Sequence, residues 1–478
     1  MIRKKPSVTA GERVPMRQFI TLALTLAIPI ALQNLLTSCA SLIDTAMVVA
    51  LGNTATSAIG VAGRFPFFLN LACFGLCSGS ATMISQYWGA RDRDGIHRTF
   101  GMLLTFSMGI ALLISACLFF IPDKLMRIFI DDPAVIELGA QYLKIFSIAA
   151  FLTVFNQLAG AALRATEQVA LPLISSVFSV VVNTFMNYCL IEGHFGFPAL
   201  HLRGAAIATV LGLAVQALIL LFYILFSNNV LRAPSLRAYF AWTAAFGKHY
   251  TRIVTPAFLN EVAWSVGTNI YIMVLARQGN DYYSGYTVFE TVQQLFFVFF
   301  AGICHACSII VGKTVGEGRH ALAKVYAKRF LVMTPLMGIF FGILVILTRY
   351  PILGLLEIET ELALQTAAQC LLVYALWLGC RMIPYTGICG IFRAGGDTIT
   401  GCIYELCCMY FFSIPAVVLL GTFTDIPFVL LVLCMYVCED LPKGILCIIH
   451  FFRGRWIKQI TKTPAPPVDE TAEISSTM

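Results

Sequence analysis

The sequence has few charged residues for its length. Only 12% of its 478 residues are Asp, Glu, Lys or Arg, whereas 59% are hydrophobic and the mean hydropathy is +0.82. A soluble globular protein carries roughly 25% charged residues on average, which cover its surface. This composition therefore excludes an ordinary soluble fold, and we expect a protein that crosses a membrane several times.

The sequence also lacks the ~10-residue alternation of apolar and polar residues that marks transmembrane β-strands. Instead, apolar runs recur along the chain, each near or above the ~20 residues that a helix needs to cross a bilayer. The sequence predicts an all-α integral membrane protein with twelve transmembrane helices. We place them at about residues 18–50, 56–87, 99–121, 136–160, 169–192, 204–227, 251–277, 284–311, 322–348, 362–388, 398–421 and 426–450.

Metal-ligand spacing between cysteine and histidine is absent. The chain has 16 Cys and 7 His, and most of the cysteines lie inside apolar runs such as CIYELCCMYFF. Free cysteine behaves as a small buried hydrophobe, and a zinc site needs closely spaced Cys and His ligands. We expect no metal and no cofactor. Without an interfacial cluster of His, Asp or Cys, the sequence gives no support to an enzyme.

The first 17 residues lack the small-residue cleavage site of a signal peptide, so we expect them to be retained. If this end is cytoplasmic, the loops on its side contain most of the basic residues, as the positive-inside rule requires. Those residues are Arg91, Arg93, Arg98, Arg164, Arg232, Arg237, Lys248, Arg252, Lys313, Arg319, Lys324, Lys328, Arg329 and Arg393. The opposite loops contain only Lys124, Arg127, Arg203, Arg277 and Arg349. We therefore expect both termini to be cytoplasmic in an inner membrane, and the net charge of +7 to reflect topology rather than nucleic-acid binding.

The second half of the sequence repeats landmarks of the first half. The repeated pairs are Pro29 and Pro256, 227 residues apart, Gly89 and Gly316, also 227 apart, and Arg164 and Arg393, 229 apart. Because six helices separate the halves, the repeats are parallel, related by an axis along the membrane normal. Two such bundles around a central cleft suit transport by alternating access, although a duplication that matters only for packing is the alternative.

The repeat defines the organisation of the chain. We predict a cytoplasmic N-terminus at 1–17, an N-lobe at 18–227, a cytoplasmic linker at 228–250, a C-lobe at 251–450 and a cytoplasmic tail at 451–478. The end of the tail is rich in proline and polar residues, so we expect it to be disordered.

Several motifs, in this order and spacing, resemble the multidrug and toxic compound extrusion family of antiporters. They are Pro29 with Asp44 fifteen residues on, QYWGARDRD, ALRATEQ, VVVNTFMNYCLIEG, LRGAAIATVLG, TPAFLNEVAWSVGTNIY, LFFVFFAGICHACSIIVGKTVGEGR, GIFRAGGDT and FFRGRWIKQIT. The resemblance implies two six-helix lobes and export of amphipathic, often cationic drugs or toxins in exchange for protons or sodium. We expect a monomer in the lipid bilayer, with small molecules as its partners.

One carboxylate, Asp44, stands inside the first apolar run. Gln33, Thr37, Ser41 and Asp44 follow spacings of four, four and three, so they form one polar stripe on a helix. A charge inside a bilayer usually faces protein, a cavity or a pathway. The resemblance implies that Asp44 binds the coupling cation, with the other three residues lining the substrate cavity; a purely structural carboxylate is the alternative.

Asn183 and Asn187 share one face of the fifth helix because they are four residues apart. In the resembling family these positions border the same cavity as the first-helix acid. Here the second position is an amide rather than an acid. Hydrogen bonding between helices is the alternative role.

The seventh helix contains a second polar stripe. Asn260 and Glu261 follow Pro256, and Trp264 and Thr268 lie further along the helix. The resemblance makes Glu261 the C-lobe acid, and Trp264 could stack on a cationic drug. We also expect Pro29 and Pro256 to act as hinges.

Arg381 occupies the region of the tenth helix where some relatives place an acid. We expect it near Glu261, where its charge would oppose a metal cation. Glu290 and Glu405 are further possible partners of Arg381. Lys443 follows Glu439 by one turn, so the sequence predicts that it neutralises Glu439.

These features favour protons over sodium as the coupling ion, because a sodium site needs several oxygen ligands. The competing hypothesis is a flippase for a lipid-linked oligosaccharide. It would need a cavity with several arginines for pyrophosphate, and the predicted spans offer few beyond Arg64 and Arg381.

Overall fold

The computed structural model consists of twelve long helices and describes residues 14–49, 51–356, 358 and 360–461. The helices are α1 Met16–Val49, α2 Asn53–Gly89, α3 Arg93–Phe120, α4 Pro133–Ala165, α5 Ala170–Glu192, α6 His201–Phe226, α7 Ala244–Ala276, α8 Asn280–Gly316, α9 His320–Leu353, α10 Glu361–Phe392, α11 Thr398–Phe423 and α12 Phe428–Arg453. Within the described ranges there is no β-strand, so the predicted all-α fold is confirmed. The predicted disordered end falls in residues 462–478, outside the described residues.

Ten of the twelve helices are long and apolar enough to cross a membrane by length and composition. The other two, α7 and α12, are as long but more polar. Helix α7 contains Glu261, and α12 contains Glu439, Asp440 and Lys443, all of which are buried. The two exceptions are therefore helices whose charged side chains face the protein interior, as expected for functional membrane helices.

Helix α7 begins earlier than the sequence suggests. It starts at Ala244 rather than near residue 251, because the Thr243 hydroxyl accepts a hydrogen bond from the Phe246 amide at 3.3 Å and caps the first turn. The linker is accordingly shorter than predicted. It contains one short helix, Leu236–Phe240.

The two halves make equivalent contacts with each other. A side chain at Gly89 would overlap the Lys313 carbonyl, and a side chain at Gly316 would overlap the Gln86 carbonyl. Gly316 follows Gly89 by 227 residues, and Lys313 follows Gln86 by the same number, so the two contacts exchange equivalent positions of the two halves. This reciprocity is what a two-fold relation between parallel repeats produces, so it supports the predicted duplication.

The same reciprocity holds deeper in the molecule. A Cβ at Gly75 in α2 would lie 2.8 Å from the Cα of Phe258 in α7, and a Cβ at Gly302 in α8 would lie 2.9 Å from the Cβ of Ala31 in α1. Glycine allows two helix backbones to approach closely in a membrane. The lobes therefore meet along two matching seams, α2 with α7 and α1 with α8.

The first half of α1 packs on the C-lobe. Phe19 and Phe330 of α9 meet edge to face with ring centroids 4.9 Å apart, and Arg329 Nη2 donates to the Val14 carbonyl at 2.6 Å. Leu26 and Ile30 belong to the same buried cluster. Helix α1 thus contacts the C-lobe at one end and carries Asp44 toward the other end.

Candidate functional site

A cavity of about 320 Å³ lies between the two lobes. Its wall is formed by α2 and α4 of the N-lobe and by α7, α8, α10, α11 and α12 of the C-lobe. The ionisable side chains that line it, other than cysteine and tyrosine, are Arg164, Glu261, His305, Arg381, Arg393, Glu405, Glu439, Asp440 and Lys443. The cavity therefore combines apolar surface with a cluster of ionisable side chains inside the molecule.

The lobes are in contact through an ion pair and a hydrogen bond at one end of the cavity, which we call the closed end. Lys313 Nζ of the C-lobe donates to Glu167 Oε2 of the N-lobe at 2.8 Å, and Gln86 Nε2 donates to the Ala394 carbonyl at 2.8 Å. The Gly89 and Gly316 contacts lie at the same end. The lobes are therefore in direct contact beneath the cavity.

A segment after α12, residues 454–461, crosses the closed end, and we call it the C-terminal strap. Trp456 is buried, and the Lys458 amide donates to the Gly395 carbonyl at 2.7 Å. The Ile460 amide donates to Gln86 Oε1 at 2.8 Å. The strap therefore connects the C-lobe to α2 of the N-lobe.

Asp397 anchors the strap to the loop between α10 and α11. Its carboxylate accepts hydrogen bonds from Lys458 Nζ at 2.6 Å, from the Thr400 hydroxyl at 2.8 Å and from His450 at 2.9 Å. Burial of the carboxyl group favours its protonated form. The positive charge of Lys458 and the hydrogen bonds from Lys458, Thr400 and His450 favour the ionised form more strongly. The pKa of Asp397 is consequently held below its ordinary value of 3.8.

Glu261 is paired with Arg393, not with Arg381 as the sequence suggested. Arg393 Nη2 donates to Glu261 Oε1 at 2.7 Å, and Arg393 Nη1 donates to Ser78 Oγ of the N-lobe at 2.8 Å. The last part of α10, Thr386–Phe392, is π-helical. A π-helical turn changes the rotation of the residues that follow it, so Arg393 faces the cavity instead of lying in a loop.

Arg381 contacts a different helix. Its guanidinium lies 3.8 Å from Asp440 Oδ2 and 4.8 Å from the centroid of the Tyr436 ring, both in α12. Glu405, a predicted partner of Arg381, instead accepts from Lys443 Nζ at 2.8 Å. The other candidate, Glu290 of α8, is half-buried and lies outside the cavity lining.

Lys443 is the centre of a buried charge cluster. Its ammonium donates to Glu405 and to Glu439 at 2.8 Å each and lies 3.8 Å from Asp440. The predicted pair of Lys443 and Glu439 is confirmed. Tyr271 also donates to Glu439, at 3.2 Å, so each carboxylate has a partner.

Asp44 and the asparagines of α5 come together in the N-lobe. Asn187 Nδ2 donates to Asp44 Oδ1 at 2.5 Å and lies 3.5 Å from Asn183 Oδ1. Asn187 Oδ1 is buried and has no hydrogen-bond partner in the described part of the chain. An unused acceptor therefore lies beside a half-buried carboxylate, an arrangement that can receive a cation or a proton-carrying water.

The rest of the α1 stripe separates into two parts. Gln33 donates to Ser176 Oγ at 3.0 Å and accepts from Arg164 Nη1 at 3.1 Å. Thr37 and Ser41 are exposed, and the Thr37 hydroxyl donates to the Gln33 carbonyl. None of the three belongs to the residues that line the central cavity.

The α7 stripe likewise contributes only in part. Asn260, Glu261 and Trp264 line the cavity, whereas Thr268 is half-buried outside it and donates to the Trp264 carbonyl at 3.0 Å. Pro29 and Pro256 lie inside α1 and α7.

The predicted topology places two arginines in loops, whereas the structure places them in the cavity wall. Arg164 and Arg393 were counted with the basic loop residues, but Arg393 is buried and both face the cavity. Their near-constant offset between the halves was the signal that could have revealed them. His305, also in the wall, has no comparable signal.

Comparisons with known proteins agree with this architecture. The model of the MatE family matches residues 29–189 and 256–419, and the two matches begin at Pro29 and Pro256. The chain is 22% identical over 439 residues to the "Probable multidrug resistance protein NorM" of Thermotoga maritima, covering 92% of this chain and 93% of that protein. It is 25% identical over 405 residues to the "Probable multidrug resistance protein YoeA" of Bacillus subtilis, covering 84% and 86%.

Solved structures share the fold. A structure described as MATE in the bent conformation has a TM-score of 0.80 at 18% identity and covers 94% of this chain and 97% of its own. An outward-facing multidrug resistance MATE family transporter of the MOP superfamily has a TM-score of 0.77 at 19% identity, covering 92% and 96%. The chain is therefore a multi-pass membrane protein that belongs to the MatE family.

Proposed function

We propose that this protein is a secondary active transporter that exports amphipathic, often cationic compounds in exchange for inward protons. The observation that carries the proposal is the cavity with charged and apolar side chains between two repeated lobes, closed at one end by contacts between the lobes. The names of the relatives, multidrug resistance proteins, support the substrate class.

The two-fold arrangement supports alternating access. The glycine contacts between the lobes lie in the half of the helices nearest the closed end. Separating these contacts while the opposite halves approach would expose the same cavity on the other side. We place the closed end, together with both termini, on the cytoplasmic side of an inner membrane, so the cavity faces outward in this state.

We assign the coupling role to Asp44 and its neighbours on α5. A proton requires one carboxylate, whereas sodium requires several oxygen ligands. Asp44 is the only carboxylate in its cluster with Asn183 and Asn187 as the structure describes it. Glu261, the C-lobe candidate, already has the charge of Arg393 at 2.7 Å, which opposes a metal cation there.

The flippase hypothesis gains one observation from the structure. Arg164, Arg381 and Arg393 all line the cavity, so the expectation of few cavity arginines is wrong. Two of the three, however, are paired with Glu261 or Asp440. A pyrophosphate would meet only one arginine free of an acid, which favours export of smaller amphipathic compounds.

The test is dye transport in inside-out vesicles from a pump-deficient host, in sodium-free buffer with an acidic lumen. The wild type should accumulate a cationic dye, and Asp44→Asn should reduce uptake to the background of empty vesicles. Asp425→Asn is the matched control, because Asp425 is an exposed residue between α11 and α12. Full uptake by Asp44→Asn contradicts the coupling role, and strict sodium dependence at constant pH contradicts the choice of protons.

A further inference from the structure

We propose that the cavity selects compounds that carry an anionic group, such as a carboxylate, on a cationic amphipathic body, and that Arg164 binds the anion. This inference rests on the proposed export function and names the substrate class more narrowly. It predicts a preference for zwitterions over simple organic cations.

The charges that line the cavity are unequally distributed between its walls. Besides His305, four carboxylates and four arginine or lysine side chains line it. On the C-lobe wall, Arg393 neutralises Glu261, while Lys443 and Arg381 face three carboxylates, Glu405, Glu439 and Asp440. If all these groups are ionised, the C-lobe wall keeps one negative charge in excess.

Arg164 is the base left over, and it lies on the N-lobe wall. Among the residues that the structure describes, no carboxylate pairs with it, and its hydrogen bond goes to the neutral Gln33 Oε1 at 3.1 Å. A guanidinium has five N–H donors, so most of them remain for a ligand. A cation without a counter-charge inside a membrane protein is costly, and a substrate anion would supply that charge.

The position of the Arg164 guanidinium is fixed by its surroundings. Gly160, one turn earlier in α4, leaves room for it, because a Cβ there would lie 3.1 Å from Arg164 Nη1. Gln33 is itself held by Ser176, whose hydroxyl also accepts from Gln216 Nε2 at 3.1 Å. A guanidinium held in this way loses less entropy when it binds a carboxylate.

The remaining wall suits the body of such a compound. Phe74, Trp264 and Phe297 provide aromatic surface, which attracts a delocalised cation. The positive end would face the C-lobe wall with its excess carboxylate, and the anion would face Arg164. A single arginine without a carboxylate partner matches a singly charged anion better than a pyrophosphate.

The experiment compares two dyes that differ by one methyl group. Rhodamine 110 has a free carboxylate, and rhodamine 123 is its methyl ester and a simple cation. Binding to the purified full-length protein is measured by fluorescence anisotropy. We expect the wild type to bind the free acid at least ~10-fold tighter, which corresponds to about 1.4 kcal/mol.

Arg164→Gln should abolish this preference while changing the affinity for the ester by less than about two-fold. Arg164→Lys keeps the charge but not the paired donors, so it should keep part of the preference for the free acid. If Arg164→Gln does not fold, the lysine variant tests the proposal in its place. If Arg164 had only a structural role, its substitution would weaken the binding of both dyes equally, and that result would overturn the proposal. An unchanged preference in both variants would also overturn it.

The proposed function and this inference fail in different ways. If the wild type binds neither dye, the export function itself loses its support, and this inference with it. If the wild type binds the ester as tightly as the acid, only the substrate class is wrong.

Discussion

Arg393 is held at two points, one in each lobe. It donates to Glu261 at 2.7 Å and to Ser78 of α2 at 2.8 Å, and it is buried. A buried ion pair adds little net stability, because both charges lose their hydration. Removing one partner is costly, however, since the other charge is left unpaired. The stability of the C-lobe therefore depends on keeping both Arg393 and Glu261, or on replacing both together.

We expect Arg393→Met to lower the free energy of unfolding by about 3–5 kcal/mol, because Glu261 would be buried without its cation. The double variant Arg393→Met with Glu261→Met should recover most of that loss. Thermal unfolding in detergent measures both. If the double variant is no more stable than the single one, the two residues do not act as a pair.

Asp397 gives the closed end a defined dependence on pH. Its pKa is below the ordinary value of 3.8 in the folded protein, so the unfolded chain binds its proton first as the pH falls. The stabilisation is complete above that ordinary value and is lost as the pH falls through the lower pKa of the folded state. Asp397→Asn should remove this contribution.

The unfolding temperature of the wild type should therefore exceed that of Asp397→Asn at about pH 6, and the difference should shrink below about pH 4. Scanning calorimetry or a thermal shift assay at several pH values measures it. A difference that grows on acidification would contradict the assignment.

At the scale of the helices, the ends of α2 and α8 close the molecule through glycine. Gly89→Ala would place a methyl group onto the Lys313 carbonyl, so the closed end must open or shift. We expect the amides of residues 454–461 to exchange hydrogen faster in this variant, because the strap crosses the same closed end. Hydrogen exchange with mass spectrometry measures this.

Gly109→Ala is the matched control for that experiment. Gly109 lies in α3, and a Cβ there would meet open space, so exchange in the strap should stay at the wild-type rate. Equal acceleration in both variants would show that the effect is a general loss of helix packing. No acceleration in Gly89→Ala would show that the strap does not depend on this contact.

The helices were largely predictable, because a long apolar run can satisfy its backbone in a membrane in only one common way. The polar partners were not. Lys443 and Glu439 lie one turn apart on one helix, so their pair followed from the sequence. Glu261 and Arg393 lie on different helices, and a π-helical turn sets the direction of Arg393. Sequence spacing contains no information about such a rotation.

At the scale of the whole molecule, the duplication was visible in the sequence through Pro29, Pro256, Gly89 and Gly316. How the copies meet was not. Each lobe uses the same glycine surfaces against the other, yet their charges differ, with an acid-free arginine on the N-lobe wall and a carboxylate excess on the C-lobe wall. Near-symmetric backbones thus support an asymmetric cavity, because the seams constrain the helices and leave the cavity side chains free to diverge.

The C-terminal strap also bears on how the protein is made. Ile460 contacts Gln86 across 374 residues of sequence, and the strap is translated after all twelve helices. During synthesis, the N-lobe helices enter the membrane long before their last partner exists. Gln86 Oε1 and the Gly395 carbonyl therefore lack their strap partners until residues 454–461 have left the ribosome. The contact between the strap and α2 thus forms only after all twelve helices have been translated, so the closed end is incomplete while the second lobe inserts.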